Sequence, residues 1–356
     1  MIEIDGSMLE GGGQLLRVSV ALSAVTGTPI KVFNIRAKRS NPGLRPQHLK
    51  AVEAVARLVN ARTVGLYIGS REVEFAPGSP KAGDIEIDVG TAGSTTLVLQ
   101  AMMPAMAYAR GPVSVAIKGG TNNPMAPPVD FLEKVLLPVL RKMNLSISLE
   151  LVRRGFYPRG QGIIKVRTQP LQRIASIALR EFGDVSGISG LAYSSRLPSH
   201  VADRMASAAA TLLRGAGYRD FSIERETLQA SDPRCAVSPG CGIILVAELS
   251  RGGVISGDAL GAPGKPAEAV GKEAAQSLAG QLGKRAPVDK HLGDQLAVWM
   301  ALAEGASEIR VTELTLHTVT CMKVIENLIN ARFTIEGEEG KPATIKSQGL
   351  GLRSNP

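Results

Sequence analysis

Four histidines occur in the chain, His48, His200, His291 and His317, and two of them flank one stretch of sequence. His291-Leu292-Gly293-Asp294-Gln295 reads as a polar turn around Gly293 opening a helix, and His317 leaves the strand that follows it. A neutral imidazole is a competent nucleophile or acid–base group near pH 7, and a helix start favours negative charge. The pair therefore suits a nucleotide held beside a reactive histidine. A lone histidine is more often a structural or surface group, so the neighbouring motifs decide how much weight the pair carries.

Glu10-Gly11-Gly12-Gly13-Gln14-Leu15-Leu16-Arg17 sets three glycines ahead of another helix, where backbone N–H groups can approach a phosphate. A carboxylate beside such a turn suits Mg2+, which one or two carboxylates hold together with phosphate oxygens. The plain alternative is a glycine-rich turn with a solvated glutamate. In the segment 36–48, Arg36, Lys38, Arg39 and Arg45 crowd a loop that leaves a strand and enters a helix through Pro46-Gln47-His48. Guanidinium forks clamp phosphates bidentately and ammonium groups do not, although a solvated basic loop has the same composition. No HxH, HExxH or CxxC spacing is present, which argues against a transition-metal site. No GxxxxGK[ST] is present either, which excludes an ordinary P-loop. Cys235 and Cys241, at the ends of Cys-Ala-Val-Ser-Pro-Gly-Cys, read as free thiols with no catalytic role.

These segments recur at matching points of a repeated unit. A glycine turn, an apolar helix, a glycine stop and a strand appear three times: Gly11–Gly13 with helix 14–25, Gly27 and strand 30–35; Gly93-Ser94 with helix 95–109, Gly111 and strand 113–118; Gly293 with helix 294–304, Gly305 and strand 309–314. Each stopping glycine is expected to form a left-handed helix cap. A polar loop then leads to a second helix and a β-hairpin: Asn41-Pro42-Gly43 before Leu49, Val52, Val55 and Val59; Asn122-Asn123-Pro124 before Phe131, Val135, Val139 and Met143; His317–Thr320 before Ile325, Leu328 and Ile329. The loops after the three strands, including Gly119–Asn122, should gather at one edge of the structure. The region between the second and third copies breaks this rhythm, with strands at 188–193, 221–228 and 242–249 and helices at 198–213 and 266–284. The face of its first helix should be Val201, Met205, Ala208 and Leu212. The predicted fold class is α+β with alternating α/β repeats: three units of two helices on a four-stranded sheet, plus a small inserted α/β domain. The core domain comprises 1–183 and 285–356, and 184–284 is the insert.

The chain has 356 residues, 41 Lys and Arg against 32 Asp and Glu, and a formal charge of +9. Aromatic residues supply only 4%, so the core must be aliphatic and few side chains are on hand to stack on bases. The charge favours a polyanionic partner or a generally basic surface. Glu3 and Asp5 disfavour a signal peptide, and the longest apolar run, near 96–109, is shorter than the roughly 20 residues that span a bilayer. A soluble, cytoplasmic protein without a membrane partner is expected.

Together the motifs resemble the RNA 3'-terminal phosphate cyclases over essentially the whole chain. The matching segments are Glu10–Arg17, Pro42–His48, Gly93–Gln100, Gly119–Asn122, Gly155–Pro158, His291–Leu296 and Leu316–Thr318. The resemblance implies the repeated fold with its insert. It also implies an ATP-dependent ligase that turns an RNA 3'-terminal phosphate into a 2',3'-cyclic phosphodiester. The implied route is a histidine–AMP adduct, an RNA-adenylate anhydride, and attack by the neighbouring 2'-OH, with release of pyrophosphate and then AMP. By the same resemblance His317 is the adenylated residue and Glu10 binds the metal, Mg2+ or Mn2+. Gln100, His291, Leu292, Gly293, Asp294 and Gln295 contact ATP, and Arg17, Arg36, Arg39 and Gln47 contact phosphate or nucleotide. Arg45 is expected beside the glycine turn with them. Gly293, Gln161 and Cys321 depart from the family's usual Ala, Gly and Asn, and Cys321 should begin the helix beside the histidine. Non-catalytic cyclase-like scaffolds of ribosome assembly lack the histidine kept here as His317. Enolpyruvyl transferases share the repeat but would have no purpose for the adenylation motifs. The RNA end with its phosphate, and little of the RNA's sequence, is the expected partner.

Overall fold

The computed structural model describes residues 1–353. Its first unit runs β1 (Ile2–Asp5), α1 (Gly13–Thr26), β2 (Ile30–Phe33), α2 (Pro46–Val59), β3 (Arg62–Val64) and β4 (Val73–Ala76). Gly27 ends α1 in the left-handed region (φ 71°) and returns its N–H to the Ser23 carbonyl. Pro46 opens α2, where its missing N–H costs nothing. The strands lie in the order β1-β2-β4-β3, with β1 parallel to β2 and the other pairs antiparallel.

The second unit repeats this plan. β5 (Gly83–Asp88), α3 (Thr95–Ala107), β6 (Val113–Gly119), α4 (129–142, with a wider π turn at Leu132–Leu136), β7 (Ile147–Arg153) and β8 (Gly162–Thr168) give the order β5-β6-β8-β7. A third unit starts at β9 (Ala178–Leu179) and is at once interrupted. β10 (Val185–Ser195), α5 (His200–Gly215), β11 (Phe221–Leu228), β12 (Gly240–Leu249), β13 (Val254–Leu260) and α6 (Ala267–Leu282) form a separate sheet, ordered β11-β10-β12-β13, with its own apolar cluster. The unit resumes with α7 (Lys290–Leu302), β14 (Glu304–Val311), α8 (Leu316–Leu328), β15 (Arg332–Glu336) and β16 (Ala343–Leu350), and its sheet reads β9-β14-β16-β15. All three units thus share one topology, and one continuous aliphatic core joins them. No helix among the described residues is long and apolar enough to cross a membrane.

Several local expectations are corrected. α7 begins at Lys290, because Asp289 caps it by accepting from the His291 and Leu292 N–H groups. Gly293 is therefore a helical residue and not a turn; a Cβ there would stand 2.8 Å from Val311 Cγ1, so it serves close helix–strand packing. Gly305 (φ 92°) lies within β14, and Gly111 is not left-handed; only Gly27 caps as predicted. Thr315 caps α8 through the Thr318 N–H, which puts His317 in the first helical turn instead of a loop, and Cys321 well inside that helix. The buried face of α5 is Ala202, Met205, Ala206, Ala209 and Leu213, about one position along from the predicted stripe. The leading strands β1, β5 and β9 were not legible in the repeat pattern.

Candidate active site

The starts of α1, α7 and α8 and the middle of α3 converge on a cavity of about 670 Å3. It is lined by Glu10, Arg17, Arg36, Arg39, Gln47, Gln100, His291, Asp294, Gln295 and His317, drawn from all three units. Gly13 is required at the mouth of α1, since a Cβ there would overlap His48 Nε2. His48 is buried, and its Nδ1 accepts the Arg45 N–H, which leaves the proton on Nε2. Burial, with Arg17, Arg36 and Arg45 nearby, pushes its pKa down to about 3, so it stays neutral.

His317 Nδ1 lies 2.6 Å from Glu10 Oε2. A carboxylate only accepts, so this bond puts a proton on Nδ1, and in the neutral ring the lone pair is then on Nε2. The other Glu10 oxygen accepts from Arg39 Nη2 at 2.9 Å. Partial burial pushes the Glu10 carboxyl up, but the His317 and Arg39 contacts outweigh it and hold the group below its ordinary value. His317 Nε2 is 3.9 Å from Asp294 Oδ2, too far for a hydrogen bond.

Behind the histidine a polar chain ties the three units together. Arg17 Nε donates to Gln100 Oε1 (3.2 Å), Gln100 Nε2 to Gln295 Oε1 (2.8 Å), and Gln295 Nε2 to Asp294 Oδ2 (3.0 Å). Gln14 Nε2 donates to the same Asp294 oxygen at 3.0 Å. Burial raises the Asp294 pKa to about 6, although His317, Gln295 and Arg17 oppose the rise. Arg17 is buried, which lowers its pKa to about 10 and leaves it cationic at neutral pH. Its terminal nitrogens make no hydrogen bond among the described residues, so they are available to meet an anion.

Not every expected residue reaches this cavity. Leu292 and Gly293 are buried in packing behind it, and Arg45 is exposed and does not line it. Thr121 and Asn122 turn inward: Asn122 Nδ2 donates to Asp130 Oδ2 and to the Tyr193 hydroxyl, so the second unit's loop reaches the cavity through Met125–Pro128 instead. Cys321 is buried beneath the site, its Sγ 3.6 Å from the Asp294 carbonyl oxygen. The three cysteines are free. Gln14, Lys290, Phe131 and Asp258 also line the cavity, and none of them stands out as a site residue in the sequence. Gln14 lies within the Glu10–Arg17 motif and Lys290 adjoins His291–Leu296, but Asp258 lies on a strand of the insert where no motif marks it.

A family model described as RNA 3'-terminal phosphate cyclase matches residues 8–335. A protein of Caldivirga maquilingensis named RNA 3'-terminal phosphate cyclase is 49% identical over 334 residues, covering 94% of each chain. Proteins of the same name from Pyrobaculum aerophilum (44% over 351 residues, 98% of this chain and 99% of that one) and Pyrococcus furiosus (45% over 348 residues, 97% and 98%) are similar along their whole length. The crystal structure of the enolpyruvyl transferase NikO from Streptomyces tendae aligns at a TM-score of 0.27 and 12% identity, covering 100% of this chain and 83% of that one, too weak a likeness to carry an argument.

Proposed function

The chain belongs to the RNA 3'-terminal phosphate cyclase family, and from that premise we propose that it uses ATP to convert an RNA 3'-terminal phosphate to a 2',3'-cyclic phosphodiester through an adenylate on His317. The observation that carries this reading is the Glu10–His317 pair, which in the neutral imidazole sets the lone pair on Nε2, in a cavity rimmed by Arg17, Arg36 and Arg39. In the first step Nε2 bonds to the α-phosphorus and the bond to pyrophosphate breaks; the Nδ1 proton stays put, and Glu10 offsets the positive charge that develops on the ring. An oxygen of the RNA 3'-phosphate then takes the adenylate, and the Nε2 electron pair returns to the imidazole. Attack of the 2'-OH on the 3'-phosphorus forms the O2'–P bond, breaks the bond to AMP, which leaves with that electron pair, and releases the hydroxyl proton to solvent, closing the ring. Arg17, Arg36 and Arg39 stabilise the charge that builds on phosphate oxygens, and Gln100, Asp294 and Gln295 hold the helix starts in register around the nucleotide. His291 and Gln47 complete the ATP-binding walls.

Among the described residues no cluster of three or more His, Cys, Asp or Glu is placed to hold a metal. The donor set around Glu10 fits Mg2+ or Mn2+ only as one carboxylate completed by phosphate and water oxygens. Bound so, the ion would neutralise charge on the departing pyrophosphate. We further assign 184–284 as the inserted domain and 1–183 with 285–356 as the core. The test is RNA ending in 3'-phosphate, 2'-phosphate or 3'-OH, incubated with ATP and Mg2+. Phosphatase-resistant product from the 3'-phosphate and none from the 3'-OH is expected; no resistant product from the 3'-phosphate contradicts the proposal.

A further inference from the structure

Three carboxylates line the cavity. Glu10 is engaged by His317 and Arg39, and Asp294 by Gln14 and Gln295. The side chain of the third, Asp258, has no hydrogen-bond or ion-pair partner among the described residues. Pro127, Pro128 and Phe131 line the same cavity, and Asp130, next in sequence to Phe131, is among the charges that act on Asp258. Burial, with Asp289, Asp130 and Glu273 nearby, pushes its pKa up to about 6 against the opposing charge of Lys290 in the same lining, so the cavity holds a half-buried carboxylate to which the chain itself supplies no hydrogen-bond donor.

Its position is fixed. Ser256, two residues earlier on β13 and so on the same face, donates its hydroxyl to Asp289 Oδ2 at 2.7 Å, and Asp289 Oδ1 caps the helix that carries His291, Asp294 and Gln295. Gln281 of α6 adds bonds to the Ser256 carbonyl and the Lys290 N–H. The inserted sheet is thereby laced to the start of α7, and Asp258 is presented on a rigid strand. Apolar walls ending in one unpaired acceptor describe a slot for a flat heterocycle that carries a donor group.

We propose that Asp258 reads the nucleobase of the bound nucleotide, accepting a hydrogen bond from the exocyclic amino group of adenine, and that the insert thus helps to select the triphosphate used. The assignment rests on the nucleotide-binding reading of this cavity. Hypoxanthine, with a carbonyl in place of that amine, sets an acceptor against the carboxylate and is rejected.

The test is equilibrium binding of α,β-methylene-ATP and its inosine counterpart, which need no covalent chemistry. The parent should prefer the adenine compound at least about tenfold, which is the 1.4 kcal/mol at the low end for a hydrogen bond to a charged group. In isosteric Asp258→Asn, whose amide can donate to the carbonyl, the two affinities should come within about twofold or reverse. Asp258→Ala should lose the preference without reversing it. A parent-like ratio in both variants overturns the assignment of Asp258 even if His317 is adenylated. Loss of the ratio in both supports it even if His317 is not. A parent that binds neither nucleotide overturns the base-reading role and the nucleotide site together.

Discussion

Arg154→Met removes the charge at the centre of a buried cluster that joins the second unit to the insert. Arg154 donates to both oxygens of Asp130 (3.0 and 2.9 Å) and to Glu226 (2.5 Å), and its guanidinium lies 3.9 Å from the centroid of the Tyr193 ring. Arg154 and Asp130 are each only 1% exposed, so water screens little of their attraction. Without the guanidinium, Asp130 keeps only Asn122 among its side-chain partners. Stranding one member of such a pair costs about 3–5 kcal/mol, or roughly a hundredfold to several thousandfold in the unfolding equilibrium. Urea denaturation followed by fluorescence of Trp299, which is the single tryptophan and is buried, reads this directly, with an unchanged m-value. The deficit should also depend on pH. Burial pushes the Asp130 carboxyl up, but Arg154 and Asn122 prevail and hold it below its ordinary value. That stabilisation is present above the unfolded pKa, about 3.9, and is lost as pH falls through the folded value. In the variant burial governs, opposed by the Asn122 hydrogen bond without Arg154, and protonation relieves the stranded charge, so the gap from the parent narrows between pH 7 and pH 4. A variant within about 0.5 kcal/mol of the parent at pH 7, the usual scatter of surface substitutions, or a pH-independent deficit, would refute the reasoning.

Gly13→Ala brings a methyl group into His48 and, by calorimetry, should weaken ATP binding at least about tenfold; unchanged affinity contradicts the close approach. Glu10→Gln keeps an acceptor for His317 but removes the charge, and should slow adenylation of the protein by about a hundredfold or more; an unaffected rate denies Glu10 its part. Asp294 is the opposite case to Asp130. Its pKa, raised to about 6 chiefly by burial, means that the folded chain binds the extra proton, so its contribution to stability declines as pH rises from about 4 to 6. Asp294→Asn should therefore gain about 1–3 kcal/mol at pH 8 and nothing at pH 4, measured by denaturation; no gain at pH 8 contradicts the assignment.

The repeat was legible because each unit's helices carry their own periodicity and each loop its own turn residues. The edges of those helices were not, because the caps are side-chain choices. Asp289 and Thr315 start α7 and α8 earlier than Gly293 and Thr320 suggest, since an accepting side chain outranks a glycine as a start signal. β9 is too short to register as a pattern, so the sequence marks the third unit from its helix onward, while the break in the repeat rhythm places the insert at 184–284. The motif residues that meet in the cavity are marked by the family resemblance, and the repeat adds that the loops carrying them come from matching points of the three units. Asp258 is marked by neither, because it reaches the cavity only through the way the insert docks on Asp289.

The central claim is that His317 Nε2 is the nucleophile. Incubation with α-32P-labelled ATP and Mg2+, followed by peptide mapping, tests it most directly. An acid-labile AMP on the peptide containing His317, absent from His317→Ala and discharged by RNA bearing a 3'-phosphate, is the predicted result. Label that survives His317→Ala, or RNA cyclised by a protein that never carries label, would contradict it.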